Sequence, residues 1–195
     1  MPGFIYTDEN HLYTLDGRPL SSTTGILKAE GFIDTTWYNE DARTRGSYVH
    51  LTCHLYDKGT LDIDTLDDAL RPYLDAYIRF KAETGFEVVE SEVPHYHPQY
   101  LYAGTPDKAG TMEGTDTLID LKTGVIQSWT ALQLASYELF YDRPMKRFGV
   151  QLTDEGKYKM VPFTDRTDRN IFLSALAIHN WKINHGGKNG NSKSY

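Results

Sequence analysis

The chain has 195 residues, of which 39% are hydrophobic and 24% charged, with a formal net charge of −7 and a single cysteine. This length suits one ordinary domain with a buried core and leaves no room in it for a second large domain. One cysteine excludes an internal disulfide and a cysteine-ligated iron–sulfur or structural zinc site. The acidic balance argues against a protein that coats nucleic acid non-specifically, because phosphate affinity comes largely from lysine and arginine.

Domain organisation and cellular location are predicted from composition and pattern. We expect one domain over residues 1–185 and a flexible tail over residues 186–195, because the tail is rich in Gly, Asn and Ser. No apolar stretch approaches the roughly 20 residues that a membrane span requires. The first ten residues lack the basic and apolar segments of a signal peptide, so we expect a cytoplasmic protein.

Turn residues divide the first part of the chain into a hairpin and a short helix. Residues 4–16 read as two short strands around a turn at residues 8–10, with Gly17 and Pro19 ending the second strand. The serine and threonine residues at 21–24 predict the cap of a short helix that ends near Ala29.

Two longer helices are predicted next. The first runs from Tyr38 to Tyr56, because Val49, Cys53 and Tyr56 recur at helical spacing as a buried stripe. The second covers residues 66–84, whose apolar side chains also recur on one side, and it ends at Gly85.

The pattern then changes to strands. Three segments, at residues 87–96, 99–107 and 115–122, have strand composition and are separated by Gly and Pro, which favours an antiparallel meander. A helix, a hairpin and a last helix are predicted at residues 129–141, 148–163 and 166–184. The sum is an α/β or α+β fold, with an N-terminal hairpin and a central mixed β-sheet flanked by helices.

Charged residues on one strand face suggest chemistry. Side chains alternate along a strand, so Asp120 and Lys122 lie side by side while Ile119 and Leu121 point to the other face. A hairpin would return Asp107 to a place beside Asp120. Two carboxylates and one ammonium suit phosphodiester hydrolysis, because the carboxylates hold Mg²⁺ and the lysine orients or deprotonates the attacking water.

Each of these fragments alone also has a simpler interpretation. Asp107 after Pro106 is common in turns, and Asp120 with Lys122 is a common exposed ion pair. Two further signals add weight to the catalytic interpretation.

The further signals lie on helices. Gln133 and Tyr137 are four residues apart on the helix after the Asp120 strand and therefore face the same way. On the longer upstream helix, His50 faces away from the buried stripe. A pair formed by His50 and His54 would also be compatible with zinc, but no Glu-directed metalloprotease pattern accompanies it.

In chain order these segments resemble a known superfamily. The segments are RGSYVH, ESEV, AGTPD, IDLKTG and QLASY, at residues 45–50, 90–93, 103–107, 119–124 and 133–137. Together they resemble the RecB-like branch of the PD-(D/E)XK nucleases, which includes small phage and mitochondrial exonucleases. The resemblance covers residues 43–141, about half of the chain. It implies a restriction-endonuclease-like core.

The resemblance implies a role for each matching position. His50, Asp107 and Asp120 would bind metal together with the backbone carbonyl of Leu121. Lys122 would be the catalytic lysine, acting with Asp107 and Asp120. The implied metal is Mg²⁺ or Mn²⁺, because hard oxygen ligands with one imidazole suit these ions better than zinc.

Four further positions match supporting residues of the superfamily. Gln133 and Tyr137 would support the active site and the nearby DNA. Glu92 either contacts the metal shell, as in some relatives, or is a solvated strand carboxylate. Arg45 either contacts a phosphate or pairs with an acid.

The sequence departs from the superfamily pattern at two places. The acidic position before Lys122 is Asp120 instead of the commoner Glu. The helix after His50 carries His54 and Asp57 where many relatives have Glu, which leaves a second-metal shell in doubt.

The resemblance implies a metal-dependent DNA exonuclease acting on single strands or duplex ends in phage or bacterial DNA recombination, repair or replication. DNA and proteins of phage recombination or replication would be its partners. One alternative is a structure-selective or sequence-specific endonuclease of the same superfamily. Another is a non-catalytic DNA-binding accessory protein that kept the fold, although the presence of Asp107, Asp120 and Lys122 counts against it.

Overall fold

The computed structural model describes residues 3–7, 11–34 and 39–186. The helices of this part are α1 (Thr23–Ala29), α2 (Glu40–Asp57), α3 (Arg71–Thr84), α4 (Thr130–Glu138) and α5 (Asp168–His185), with a short 3₁₀ helix at Ile63–Thr65. The strands are β1 (Phe4–Thr7), β2 (Leu12–Leu15), β3 (Arg18–Ser22), β4 (Phe86–Ser91), β5 (His95–Tyr96), β6 (Tyr102–Gly104), β7 (Lys108–Met112), β8 (Thr115–Lys122), β9 (Lys146–Leu152) and β10 (Tyr158–Pro162).

The strands form two mixed sheets. The central sheet has the order β10-β9-β8-β7-β4, in which β8 and β9 are parallel and the other neighbours are antiparallel. The second sheet has the order β1-β2-β3-β6-β5, in which only β3 and β6 are parallel among the described strands. The predicted mixed sheet flanked by helices is confirmed, and a second sheet joins it.

Helices cover both faces of the central sheet. The side chains of α2 and α3, such as Val49 and Tyr77, pack with Ile119 and Leu121 of β8. On the opposite face, α4 packs against Leu118. The alternation predicted for β8 therefore divides the sheet between two hydrophobic clusters.

A third cluster connects distant parts of the chain. Ile26 and Leu27 of α1 pack with Leu132 of α4 and with Phe172 and Leu176 of α5. Each of the five side chains is at most 6% exposed. The last helix therefore closes the core beneath the N-terminal segment.

The N-terminal segment differs from the predicted hairpin. The second strand, β2, ends before Gly17 as predicted, but Pro19 lies within a further strand, β3, directly opposite Thr14 of β2. The segment is therefore a three-stranded unit. The predicted turn at residues 8–10 lies outside the described residues, as does the start of the predicted helix at Tyr38.

The strand prediction after residue 86 was too coarse. The segment 87–96 divides into β4 and β5, and residues 108–112 form β7, which was not predicted. The helix predicted over residues 66–84 begins only at Arg71, because Pro72 is favoured in the first turn of a helix. The domain limits at residues 1–185 stay a prediction, and residues 187–195 of the proposed tail lie outside the described part.

In the described ranges, none of the helices combines the length and apolar character that crossing a lipid bilayer would need.

Candidate active site

A tight hairpin positions Asp107 beside the C-terminal end of β8. Glu113 and Gly114 connect β7 to β8 with φ values of 49° and 71°, which suits a two-residue turn between antiparallel strands. Asp107 immediately precedes β7, and its Oδ2 accepts a hydrogen bond of 2.6 Å from the backbone N–H of Leu121. The carboxylate is thereby fixed against the strand segment that carries Asp120.

Helix α2 brings an imidazole to the same point. Nε2 of His50 lies 3.0 Å from the carbonyl oxygen of Leu121. Its Nδ1 lies 3.3 Å from Oε1 of Glu92 and 3.6 Å from Oδ1 of Asp107. One potential ligand atom from each of His50, Glu92 and Asp107 lies within 4.8 Å of the others.

The position of Glu92 depends on the end of β4. Its backbone N–H donates to the carbonyl oxygen of Asp107 over 3.0 Å, and its φ of 53° turns the chain out of the strand. A non-glycine residue in this left-handed region is uncommon and is held by its surroundings. The sequence allowed two roles for Glu92, a contact with the metal shell or a solvated strand carboxylate. In the structure, its carboxylate lies next to His50.

The close approach of these groups shifts the pKa values of His50 and Asp107. Burial tends to lower the pKa of His50, but the Asp107 and Glu92 carboxylates outweigh it and raise this pKa to about 9. Burial raises the pKa of Asp107, although His50 opposes the effect. Buried carboxylates are costly without a neighbouring positive charge, which His50 supplies.

Asp120 and Lys122 form an ion pair beside this cluster. The Asp120 side chain is 1% exposed and the Lys122 side chain 22% exposed, so Lys122 is the more open partner of the pair. Burial raises the pKa of Asp120 to about 6 against the opposing effect of Lys122. The Lys122 Nζ also lies 5.5 Å from the ring centre of Trp129, a neighbour that the sequence analysis did not single out.

The residues present fit a hard divalent cation. The donors are carboxylate oxygens, the Leu121 carbonyl and one imidazole, a set that suits Mg²⁺ or Mn²⁺ better than zinc. Oδ1 of Asp120 is buried and accepts no hydrogen bond from the described residues. A buried carboxylate oxygen normally has a partner, so this atom is available to a ligand.

Asp120 does not belong to the group of close ligand atoms formed by His50, Glu92 and Asp107. Its Oδ2 faces the Lys122 ammonium. Asp120 is still close enough for its charge to interact with Asp107 and His50. Its role as a metal ligand stays a prediction.

The supporting residues behave differently from one another. Gln133 and Tyr137 are both buried on α4, and Gln133 Nε2 donates to the Tyr137 hydroxyl over 3.1 Å. Burial, reinforced by the Asp107 charge, raises the pKa of Tyr137 well above its usual range. Arg45 is exposed on α2 and makes no ion pair or hydrogen bond with the described part of the chain.

Sequence reasoning missed a buried network next to the site. Lys108 is fully buried, and its Nζ lies 2.9 Å from Asp57 Oδ2 and 2.6 Å from Ser91 Oγ. Asp57 also pairs with Lys81 over 2.8 Å and accepts a hydrogen bond from Tyr77. Lys108 follows Asp107, and Ser91 precedes Glu92, so this network fixes the strand positions that carry both carboxylates.

Comparison with known proteins identifies related folds. No protein-family model matches the chain, and no curated protein matches it either. Among solved structures, a candidate exonuclease from Eubacterium rectale is similar over 85% of this chain and 73% of its own, with a TM-score of 0.50 and 15% identity. An alkaline exonuclease from Laribacter hongkongensis aligns over 86% of this chain and 93% of its own, with a TM-score of 0.38 and 17% identity.

At 15% identity, the similarity to the Eubacterium rectale protein concerns the fold alone. The similarity to the Laribacter hongkongensis protein is too distant to add to this comparison. The chain therefore has a mixed α+β fold that is similar to the Eubacterium rectale protein.

Proposed function

We propose that the chain is a metal-dependent deoxyribonuclease that acts as an exonuclease on single-stranded DNA or duplex ends. The observation that carries the proposal is the approach of His50, Glu92 and Asp107 to one point, with the Asp120–Lys122 pair beside them. Carboxylates, an imidazole and an ammonium at one partly open place are the parts that phosphodiester hydrolysis uses.

The proposed cation site consists of residues from three elements. His50 of α2, Glu92 after β4 and Asp107 before β7 would hold the ion, and the Leu121 carbonyl and Asp120 would contribute oxygen atoms. A bound Mg²⁺ or Mn²⁺ would neutralise charge that develops on the phosphate and lower the pKa of a water molecule. The protein side chains fix the positions around it.

Lys122 has a separate task in this proposal. Its ammonium pairs with Asp120, and its side chain is partly exposed. A phosphate oxygen or the attacking water can therefore accept a hydrogen bond from Nζ while Asp120 holds the side chain in place. Lys122 would orient the reacting groups without binding the metal.

The overall charge agrees with local DNA binding through such a site. A net charge of −7 does not favour broad attachment to DNA. Buried carboxylates that hold a divalent cation present positive charge to a phosphate at a single place. This arrangement favours an enzyme over a protein that coats DNA.

Exonuclease action is the version of the proposal that the comparison supports. The structure with a TM-score of 0.50 carries an exonuclease description, which favours action at ends over sequence-specific cleavage. We place this activity in phage or bacterial DNA recombination, repair or replication, in the cytoplasm. An endonuclease on the same core is the second candidate.

The decisive experiment compares linear and circular DNA. End-labelled single-stranded and duplex DNA, together with closed circular DNA of the same sequence, would be incubated with Mg²⁺, with Mn²⁺ and with chelator. We expect metal-dependent shortening of linear DNA while the circles stay intact, and no cutting by Asp120→Asn. Cleavage of the circles would favour the endonuclease, and no cleavage of any DNA with either metal would refute a nuclease.

A further inference from the structure

Four aromatic residues form a row on one face of the second sheet. Tyr6 of β1 lies opposite Tyr13 of β2, and their ring centres are 4.9 Å apart in a stacked arrangement. Phe4 of β1 contacts both Tyr13, at 6.4 Å, and Tyr96 of β5, at 4.8 Å. Tyr13 is 6% exposed, whereas Phe4, Tyr6 and Tyr96 are partly open to solvent.

The inner end of this row lies at the candidate active site. The Tyr13 hydroxyl lies 2.8 Å from Oγ1 of Thr105, which is two residues before Asp107. Tyr13 is also near enough to the Tyr137 hydroxyl to contribute, after burial and the Asp107 charge, to the raised pKa of that phenol. The row therefore begins beside the catalytic carboxylates and leads away from them through Tyr6.

The outer part of the row carries groups that suit a nucleotide strand. His11 lies next to Tyr6, with its Nδ1 2.8 Å from the Tyr6 hydroxyl, and is exposed. Arg18 is opposite Leu15 in the sheet register, on the same face as the aromatic row. Its exposed guanidinium makes no ion pair with the described residues, so it can meet a phosphate.

A simpler interpretation is that the rings only hold the hairpin together. That role needs apolar volume but no aromatic character, so leucine could replace these rings. Stacking with bases needs an aromatic ring, which leucine does not provide. Partly open aromatic rings next to a nuclease site favour stacking with unpaired bases, because every base has an aromatic face. A duplex end offers few such faces.

We propose that the partly open rings of Phe4, Tyr6 and Tyr96, supported by the buried ring of Tyr13, form a stacking surface for the unpaired bases of a single DNA strand that enters the active site. This inference deepens the proposed function and rests on it. It makes single strands, or the frayed single-stranded part of a duplex end, the bound form of the substrate.

Binding of a labelled oligothymidylate, measured by fluorescence anisotropy in Ca²⁺, tests the surface without relying on cleavage. Tyr6→Leu and Tyr96→Leu should each weaken binding about tenfold, because one stacked base contributes about 1–3 kcal/mol. Tyr6→Phe, which keeps the ring and loses the hydrogen bond to His11, should bind like the wild type. Blunt duplex affinity should stay nearly constant in all variants.

Tyr158→Leu is the matched control. Tyr158 is a partly exposed tyrosine of the central sheet that packs edge-on against Phe80 and donates a hydrogen bond to Glu83. Its removal should leave binding of the oligothymidylate unchanged. Thermal melting of each variant confirms that the protein is folded at the assay temperature, and two leucine variants on different strands guard against a local failure to fold.

The possible outcomes are separable. Folded Tyr6→Leu and Tyr96→Leu proteins that bind oligothymidylate as tightly as wild type would overturn the stacking surface. An equal loss for single-stranded and duplex DNA would overturn it as well. A wild type that binds through these rings but never cuts DNA would keep the surface and refute the nuclease proposal.

Discussion

Nε2 of His50 lies 3.0 Å from the carbonyl oxygen of Leu121, and this contact ties α2 to the strand between Asp120 and Lys122. The imidazole therefore makes contact with one of the oxygen atoms that the proposed cation would use. The pKa of His50, about 9, keeps it positively charged near neutral pH. The positive charge of His50 thus compensates the neighbouring Asp107 and Glu92 carboxylates.

The carboxylates should be required for cleavage but not for folding. Asp107→Asn or Asp120→Asn should lose most Mg²⁺-dependent activity, because each removes a negative charge from the proposed cation site. In chelator, both variants should melt at or above the wild-type temperature, since neutral side chains suit a buried site without metal. Cleavage assays and thermal melting check the two halves of this prediction.

Asp116→Asn is the matched control for these variants. Asp116 lies on the same strand, β8, but its carboxylate forms a surface ion pair with Arg143 over 2.9 Å. This variant should cut DNA at the wild-type rate. Cleavage at the wild-type rate by Asp107→Asn or Asp120→Asn would contradict the assignment of that residue to the active site.

His50 should affect metal affinity. His50→Ala removes the imidazole that faces Glu92 and Asp107, so it should weaken the apparent affinity for metal or change the preference between Mg²⁺ and Mn²⁺. Metal titrations of cleavage, supported by calorimetry, measure the change. His54→Ala, one turn along α2 and bonded to Ser91, is the control and should titrate like wild type. Superimposable curves for His50→Ala and wild type would make His50 a structural residue.

Lys122 separates an enzyme from a binding protein. In the enzyme, Lys122→Ala should retain metal and DNA binding yet cut orders of magnitude more slowly, because it loses transition-state stabilisation. In an accessory protein, the same change would only weaken DNA affinity by about one phosphate contact and lower the salt-dependence slope by roughly 0.7–0.9. Cleavage and affinity should be measured on one preparation. A variant that binds and cuts like wild type contradicts both roles.

The metal-free protein should lose stability as the pH rises. The folded-state pKa of Asp120 is raised from 3.8 to about 6, so its stabilising contribution is present below pH 3.8 and is lost as the pH passes 6. The pKa of His50 is raised from 6.5 to about 9, so its contribution is present below pH 6.5 and is lost as the pH passes 9. Melting in chelator across this range measures both effects.

Asp120→Asn isolates the lower part of this pH range. The difference in melting temperature between this variant and wild type should change mainly between pH 3.8 and about 6. A constant difference across that window would mean that folding does not raise the pKa of Asp120.

The buried Lys108 should contribute strongly to stability. Lys108→Met leaves Asp57 with less compensation in a buried place, and removal of one partner of such a pair costs about 3–5 kcal/mol. Chemical unfolding measures the free-energy change. Lys157→Met is the control, because Lys157 pairs with Glu155 at the exposed surface and its loss should be hard to detect. Equal stabilities of the two variants would contradict a structural role for the network.

Local signals in the sequence were sufficient for most elements. The serine cap of α1, the buried stripe of α2 and the glycine that ends α3 are visible because each depends on a few neighbouring residues. The alternation of β8 was equally visible. The approach of Asp107 to that strand requires only that a hairpin separates them.

Long-range pairings could not be predicted in this way. The parallel contact between β3 and β6 joins Ser21 to Tyr102, and no local pattern marks two such short strands as partners. Lys108 looks like a surface residue in the sequence because lysine is rarely buried without a partner, and its partner Asp57 lies on another element. The aromatic row also depends on these distant contacts.

The closure of the core by α5 has a consequence for how the chain is made. Glu30 of α1 accepts a hydrogen bond of 2.7 Å from Lys182, and Ser21 lies 3.1 Å from Nε2 of His179. During synthesis these partners of the first helix leave the ribosome long after it does, whereas α2, α3 and strands β4, β7 and β8 are complete earlier than α5. We expect the N-terminal layer to become protease-resistant on the growing chain only after α5 has been made, and therefore later than the elements that carry His50, Glu92, Asp107 and Asp120.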